Sequence, residues 1–161
     1  MTPTHARAPR GERAHGRAPA QRGTNLTLVA ALSLDGIGAA MTLPGALDRD
    51  ACEVYVREVL APRLRPGQLV IWDNVRPHQG ETVRHLIEAR GCRLLFRPPY
   101  SPAFSPIEEA FSKLKTFLRR AEARTRDTLE AAITAALATI TAADAQGWFA
   151  HCGYSPLAEP S

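Results

Sequence analysis

Two acids carry the sharpest chemical signal in this sequence, Asp73 and Glu108. Asp73 closes the apolar run Leu69-Val70-Ile71-Trp72, and in open α/β sheets such strand ends face the ligand crevice. A carboxylate there can hold a hard cation such as Mg2+ through oxygen. The plainer alternative is that Asp73-Asn74 starts a loop and caps the next helix. Glu108 lies in Ser105-Pro106-Ile107-Glu108, which has the form of a capping box with Pro at the first helical position. In that reading it only satisfies a backbone N–H, and Glu109 beside it is a solvated acid favoured by the helix dipole. The pair says more than either acid alone. Thirty-four residues separate them, enough for a helix, a strand and a Pro-rich loop that return the chain to the edge of the strand bearing Asp73. Two carboxylates brought together there would hold divalent metal, and metal pairs are a common solution to phosphodiester cleavage.

The elements that must position these acids are legible in the apolar periodicity. Leu26, Leu28, Leu32 and Leu34 share one parity, Asp35-Gly36 offers a hairpin turn, and Ile37 to Leu43 reads as the return strand. Asp48 can cap a helix with Ala51, Cys52, Tyr55, Val56, Val59 and Leu60 on its buried stripe. Leu69 to Trp72 reads as a central strand covered on both faces. A helix over 80–90 follows, with Val83, Leu86 and Ile87 inward and Gly91 as its stop, then a strand around Leu94-Leu95-Phe96. After Ser105, the residues Ile107, Ala110, Phe111, Leu114, Phe117 and Leu118 form a helical stripe. An Ala-rich helix from Thr125 to Ile140 and a short one through Trp148-Phe149 close the chain, with Trp148 and Phe149 as core closure rather than a base-stacking platform. A hairpin followed by β/α alternation predicts an α/β fold with a mixed sheet flanked by helices.

Composition bounds what such a fold can do. The chain has 161 residues, 17.5 kDa, 45% hydrophobic and 22% charged, which suits one domain with a core. No apolar run approaches the roughly 20 residues of a bilayer-spanning helix, and the Arg-bearing N-terminus lacks a leader's apolar region. The net charge of +4 conceals a strong asymmetry. Residues 1–24 hold five Arg and one Glu, residues 76–126 hold eleven Lys/Arg and five acids, and residues 127–161 hold four acids and no base. A basic arm, with Arg10, Arg13, Arg17 and Arg22, and a basic centre suit a polyanion partner. Lys113, Lys115, Arg119 and Arg120 lie on the helix that starts near Glu108 and can meet DNA backbone, against the default of a solvated face. Cys52, Cys92 and Cys152 form no CxxC pair, which points to free thiols in a reducing cytoplasm. His5, His15, His85 and His151 show no ligand spacing for zinc.

Longer stretches resemble a known family. Val70-Ile71-Trp72-Asp73-Asn74, His78, Gly91-Cys92-Arg93-Leu94-Leu95-Phe96-Arg97-Pro98-Pro99-Tyr100-Ser101-Pro102 and Ser105-Pro106-Ile107-Glu108-Glu109-Ala110-Phe111-Ser112-Lys113-Leu114-Lys115 are similar to the DDE endonuclease domain of bacterial insertion-sequence transposases. The group is the "IS six-thirty" family of the mariner superclass, which uses the same 34-residue gap between its last two acids. Arg7-Ala8-Pro9-Arg10-Gly11-Glu12-Arg13, Leu32-Ser33-Leu34-Asp35-Gly36 and Trp148-Phe149-Ala150-His151-Cys152-Gly153-Tyr154 share in the resemblance.

The resemblance implies a ribonuclease-H-like fold and a nuclease and strand-transfer activity at transposon ends. Three carboxylates would hold two Mg2+ or Mn2+ ions, with Asp73 second and Glu108 third. Asn74 and His78 fall at motif positions, as groups behind the metal ligands or as substrate contacts, or else as turn and helix-start residues. The family's first Asp precedes the Arg7–Arg13 segment, yet no Asp precedes Asp35, which falls in the hairpin turn. The implied organisation is a flexible basic arm over 1–24, a catalytic domain over 25–154 lacking the family's first strand, and a tail over 155–161. The helix-turn-helix region that precedes that strand in full-length members would be lacking too. Ser105 replaces the usual Asn, and either residue caps a helix. Implied partners are terminal inverted repeats and target DNA, with an upstream transposase fragment or further copies of the chain, in the bacterial cytoplasm at the nucleoid. The competing expectation is a non-catalytic DNA-binding or assembly remnant of a decayed element.

Overall fold

A β-hairpin forms the centre of the computed structural model, which describes residues 25–72, 80–98 and 105–154. Strands β1 (Leu26–Ser33) and β2 (Gly36–Pro44) pair antiparallel around the two-residue turn Leu34-Asp35. The turn lies one residue earlier than the Asp35-Gly36 signal suggests. Gly36 already pairs with Ser33 and takes φ +118°, a conformation open mainly to glycine. Leu34, expected to share the buried parity, is therefore exposed in the turn.

The pairing slips once. Val29 stands opposite Met41 and Ala31 opposite Gly38, so Ala39 and Ala40 together face Ala30. This is a β-bulge, with buried Ala39 at φ +44°. Its consequence is one of parity. Ile37 and Met41 would share a face in a regular strand. The extra residue puts Ile37 with Leu28 and Leu32 against one core, and Met41 with Val29 and Ala31 against another.

The first core lies under helix α1 (Arg49–Val54), which continues through a π-helical turn (Tyr55–Leu60) and a 3-10 turn (Ala61–Arg63). Asp48 caps it as its position predicts, Oδ1 accepting from the Ala51 N–H at 2.8 Å. Cys52, Tyr55, Val56 and Leu60 are buried, as the stripe requires. Strands β3 (Leu69–Trp72) and β4 (Arg93–Phe96) pair in parallel, connected through α2 (Glu81–Glu88), whose Val83 and Ile87 complete this core. Gly91 ends α2 at φ +73°, its N–H bonding the Glu88 carbonyl at 2.9 Å. The second core is made by α3 (Pro106–Ala121), α4 (Arg126–Ala138) and α5 (Ala142–His151), with Ala110, Leu114, Ala136 and Ile140 buried and Trp148 packed against them. Thr125 and Thr141 open α4 and α5 with reciprocal capping boxes. Phe149 meets Tyr154 edge-on at 6.0 Å.

The α/β class and the flanking helices are as expected, but the sheet is not continuous. Among the described residues it consists of two separate pairs, β1-β2 and β3-β4. The expectation that β3 is covered on both faces fails for a related reason. Val70 and Trp72 pack on the first core, while Leu69 and Ile71 are 52% and 37% exposed, with Leu95 of β4 at 53% beside them. No element lies over that face among the described residues. The arm 1–24 and the tail 155–161 fall outside the described residues.

One polar node joins the last three helices. Lys113 Nζ donates to the Thr139 carbonyl at 2.9 Å and to Asp144 Oδ2 at 2.6 Å, and that oxygen also accepts the Thr141 N–H at 3.0 Å. The Lys113 ammonium and the Thr141 amide hold the Asp144 carboxyl below its ordinary value of 3.8. A depressed carboxyl stabilises the fold above its unfolded value and loses that contribution as pH falls through the folded one. Acid titration of chain stability, followed by circular dichroism, will therefore show a loss below about pH 4 that is smaller in Asp144→Asn. Gly91→Ala will lower stability by about 1–2 kcal/mol in urea unfolding, because a side chain meets left-handed backbone there and its Cβ would stand 3.2 Å from that of Pro66.

Candidate functional site

The gap between the two strand pairs is a groove of about 490 Å³. One wall is the run Val29–Ser33 of β1 and the other is Leu69–Trp72 of β3. Tyr55 and Leu60 of the π-helical turn lie at its base, and Ser105, Pro106 and Ile107 at the start of α3 reach it from the far side with Arg97, Phe149 and Tyr154. The ends of both parallel strands and the beginning of α3 thus converge on one opening. The chain enters β4 beside β3, and the Arg97 N–H donates to the Trp72 carbonyl at 2.8 Å, extending the pairing by one residue.

Glu108 lies in the first turn of α3 and is exposed. The capping box expected of it does not form. Ser105 makes no side-chain hydrogen bond to the helix, and the turn is closed by the Glu108 N–H on the Ser105 carbonyl at 3.0 Å. The Ser105 side chain is buried instead, so Pro106 starts the helix without a hydroxyl cap. The Glu108 carboxylate is consequently not used in holding its own helix end. Asp73, Asn74 and His78 lie outside the described residues. Their neighbours do not: Trp72, directly before Asp73, and Ile107, directly before Glu108, both line the groove.

The basic residues of α3 divide. Lys113 is bound to Thr139 and Asp144, which occupies its ammonium in joining helices rather than in facing solvent. Lys115, Arg119 and Arg120 are exposed. At about 100° per residue, Glu108, Ser112, Lys115 and Arg119 fall on one stripe of the helix, and all four are exposed. Arg120 points away from that stripe by the same geometry. A carboxylate and two cations therefore share a single open helix face.

The other reactive groups are poor candidates. All three cysteines are free and buried. Burial, aided by Glu53, pushes the Cys52 thiol up to about 11, so it is protonated at neutral pH and a weak nucleophile. Among the described residues, no group of three or more His, Cys, Asp or Glu side chains is arranged to hold a metal ion. Glu108 is the described member of the expected set, and its hard oxygen donors suit a divalent cation of the Mg2+ type.

One feature of the groove carries no signal in the sequence. Tyr55 is 2% exposed, stands edge-on to Trp72 at 6.4 Å, and its hydroxyl makes no hydrogen bond among the described residues. The helical periodicity places Tyr55 on a buried stripe but says nothing of where its hydroxyl ends.

The model of the DDE superfamily endonuclease family matches residues 1–130. No curated protein matches the chain in sequence. Among solved structures, the chain is similar to a chain of the simian T-cell lymphotropic virus intasome in complex with PP2A regulatory subunit B56 gamma, at TM-score 0.50 and 16% identity. The likeness covers 93% of this chain and 62% of that one, and at this identity it speaks to the fold. The fold is a ribonuclease-H-like α/β domain, with its sheet in two parts among the described residues. Divalent metal use is general in the superfamily that residues 1–130 match. With the family match spanning most of its length, the chain belongs to the DDE superfamily of endonucleases.

Proposed function

We propose that the chain serves in metal-dependent cleavage and strand transfer of DNA at transposon ends, as the catalytic portion of an insertion-sequence transposase of the "IS six-thirty" group. The observation that carries this reading is the convergence of Trp72 and Ile107 on one groove, since their direct neighbours are the carboxylates Asp73 and Glu108. Oxygen donors at that rim would hold Mg2+ or Mn2+, in the two-ion arrangement that the family resemblance implies. Asp73 and Glu108 would hold such an ion, and the chemistry it would supply there is Lewis-acid polarisation of a phosphate and a lowered pKa of bound water. The chain's own part is to fix the two carboxylates on a strand end and a helix start, with Asn74 and His78 nearby in sequence to orient them or to touch substrate. Residues Lys115 and Arg119, on the stripe that begins at Glu108, would meet phosphates of the DNA entering the site.

This reading assigns two of the family's three carboxylates. Cleavage calls for the third as well, whether from a preceding segment of the same polypeptide, an upstream transposase product or another copy. The bacterial cytoplasm, at the nucleoid, is the place where such a reaction finds its substrate.

Nicking of terminal inverted-repeat DNA in Mg2+ or Mn2+ tests the assignment, with the chain alone and with the polypeptide encoded upstream of it. Activity should vanish in EDTA and fall by about 100-fold or more in both Asp73→Asn and Glu108→Gln, the scale of losing an electrostatic contributor to the transition state. Activity that survives Asp73→Asn defeats the site. Salt-sensitive DNA binding with no nicking under any of these conditions favours the non-catalytic binding or assembly remnant. Binding itself separates the α3 cations. Lys115→Ala with Arg119→Ala should reduce the slope of log K against log salt by about 0.9 for each phosphate no longer neutralised, without changing thermal stability. Lys113→Ala should do the opposite, lowering the unfolding temperature while leaving the slope nearly intact.

A further inference from the structure

We infer that the pole of the molecule opposite the Trp72 and Phe96 strand ends is a second contact for duplex DNA, made through its phosphate backbone and separate from Lys115 and Arg119 of α3. The inference rests on the proposed function for the choice of DNA as the polyanion, and not for the surface itself.

Two segments form this pole, residues 61–68 leading into β3 and residues 89–93 leading into β4. Because β3 and β4 run parallel, both segments lie at strand starts, about 10 Å of strand away from Trp72 and Phe96. Together they hold Arg63, Arg65, Arg90 and Arg93, all exposed, and no acid. The nearest acids in sequence, Glu58 and Glu88, lie outside them, and Glu88 is paired with Arg84 at 3.4 Å. Asp35 of the hairpin turn meets Arg65 at 2.8 Å, yet the two side chains are 77% and 71% exposed. Such an open pair is weak and gives way readily to another anion.

The two segments are bound to one another. The Gly67 N–H donates to the Gly91 carbonyl at 2.8 Å, the Arg93 N–H to the Gln68 carbonyl at 3.0 Å, and the Cys92 thiol to the Arg65 carbonyl at 3.0 Å. Arg90 Nε donates to the Ala61 carbonyl at 2.6 Å. That bond uses one of the five N–H donors of the guanidinium and orients the rest for an anion. A side chain already held in place loses less entropy when it binds. Four cations gathered on an acid-free tip also repel one another, and a polyanion relieves that repulsion.

The residues between the arginines select the partner. The other exposed positions in the two segments are Pro62, Pro66, Gly67, Ala89 and Gly91. A protein partner calls for an apolar centre, and a single strand of nucleic acid calls for rings on which its bases stack. Neither is exposed within these segments. Guanidinium forks with only small residues and proline around them suit the phosphate oxygens of a duplex, met without regard to base sequence.

The test uses the whole chain and a short labelled duplex of arbitrary sequence, without metal, over a range of salt concentrations. Arg63→Gln with Arg93→Gln should weaken binding and reduce the slope of log K against log salt by about 0.9 for each phosphate no longer neutralised, at an unchanged unfolding temperature. Removing the same charge at Arg49 and Arg126 should leave the slope nearly intact. Combining the platform pair with Lys115→Ala and Arg119→Ala should give the sum of the two losses, as separate surfaces do. Arg90→Lys should keep the slope and still bind several-fold more weakly, because the charge remains while the oriented fork is lost. Amide hydrogen exchange should show new protection over 61–68 and 89–93 when duplex is added. An unchanged slope in the platform pair, or an equal loss in the Arg49 and Arg126 pair, overturns the surface. Tighter binding of polyglutamate, of single strands or of duplex RNA through the same arginines overturns the choice of duplex DNA. No nicking is read, so DNA held here by a chain that never nicks would strike the catalytic reading and leave the surface standing. Nicking that persists while the platform pair binds DNA unaltered would strike the surface alone.

Discussion

A hairpin that buries both faces depends on the bulge in β2, and the rest of the molecule is arranged around that hairpin. Without the extra residue at Ala39-Ala40, Ile37 and Met41 would crowd one side of the ribbon and leave the other without an anchor. With it, the α1–α2 layer and the α3–α5 layer each receive apolar side chains from both strands. An isolated two-stranded hairpin is marginal in water, so this one is stable only as the filling between two helical layers. The two cores are then joined chiefly through it, which makes the relative position of the end of β3 and the start of α3 a matter of how each layer seats on the ribbon.

The way the elements next to Asp73 and Glu108 are built follows from local chemistry. Asp73 follows a four-residue strand held by a parallel partner, a short element fixed by α2 behind it. Glu108 follows a proline that begins a helix where the preceding serine is turned inward. That inward serine separates the structure from its sequence signature: with Ser105 buried, the first turn relies on backbone closure and leaves the glutamate outward. Lys113 shows the reverse. A basic residue in a basic stretch reads as a phosphate contact, yet its reach across to α5 makes it a tie between helices.

Much of this is legible from residue pattern because the signals are local. The Asp48 cap, the Cys52–Leu60 stripe, the Gly91 stop and the Ala110–Leu114 face each follow from spacing within one or two turns, and each is present in the fold. What escapes depends on distant partners. The apolar run Leu69–Trp72 reads as a strand covered on both sides, because four apolar residues in a row say that both faces want cover and not whether cover exists. The one-residue shift of the hairpin turn and the bulge depend on which parity meets which core, which no single strand encodes. Asp73 and Glu108 stand out by type and spacing; of their surroundings the structure describes Trp72 and Ile107, which both line the groove, while Asp73 itself lies outside the described residues.

The open ridge of Leu69, Ile71 and Leu95 also bears on how the molecule behaves in bulk. Strand edges that are unpaired among the described residues can each recruit a neighbour, and that growth has no natural stopping point, unlike a closed pair. The restraint against it is long-range repulsion between molecules of net charge +4, dominated by arginine. Such repulsion reaches only about 10 Å at 0.1 M salt. Colloidal stability of this chain is thus a property of the buffer as much as of the fold: dilute electrolyte keeps the particles apart, and concentrated electrolyte brings the sticky ridges within range of one another.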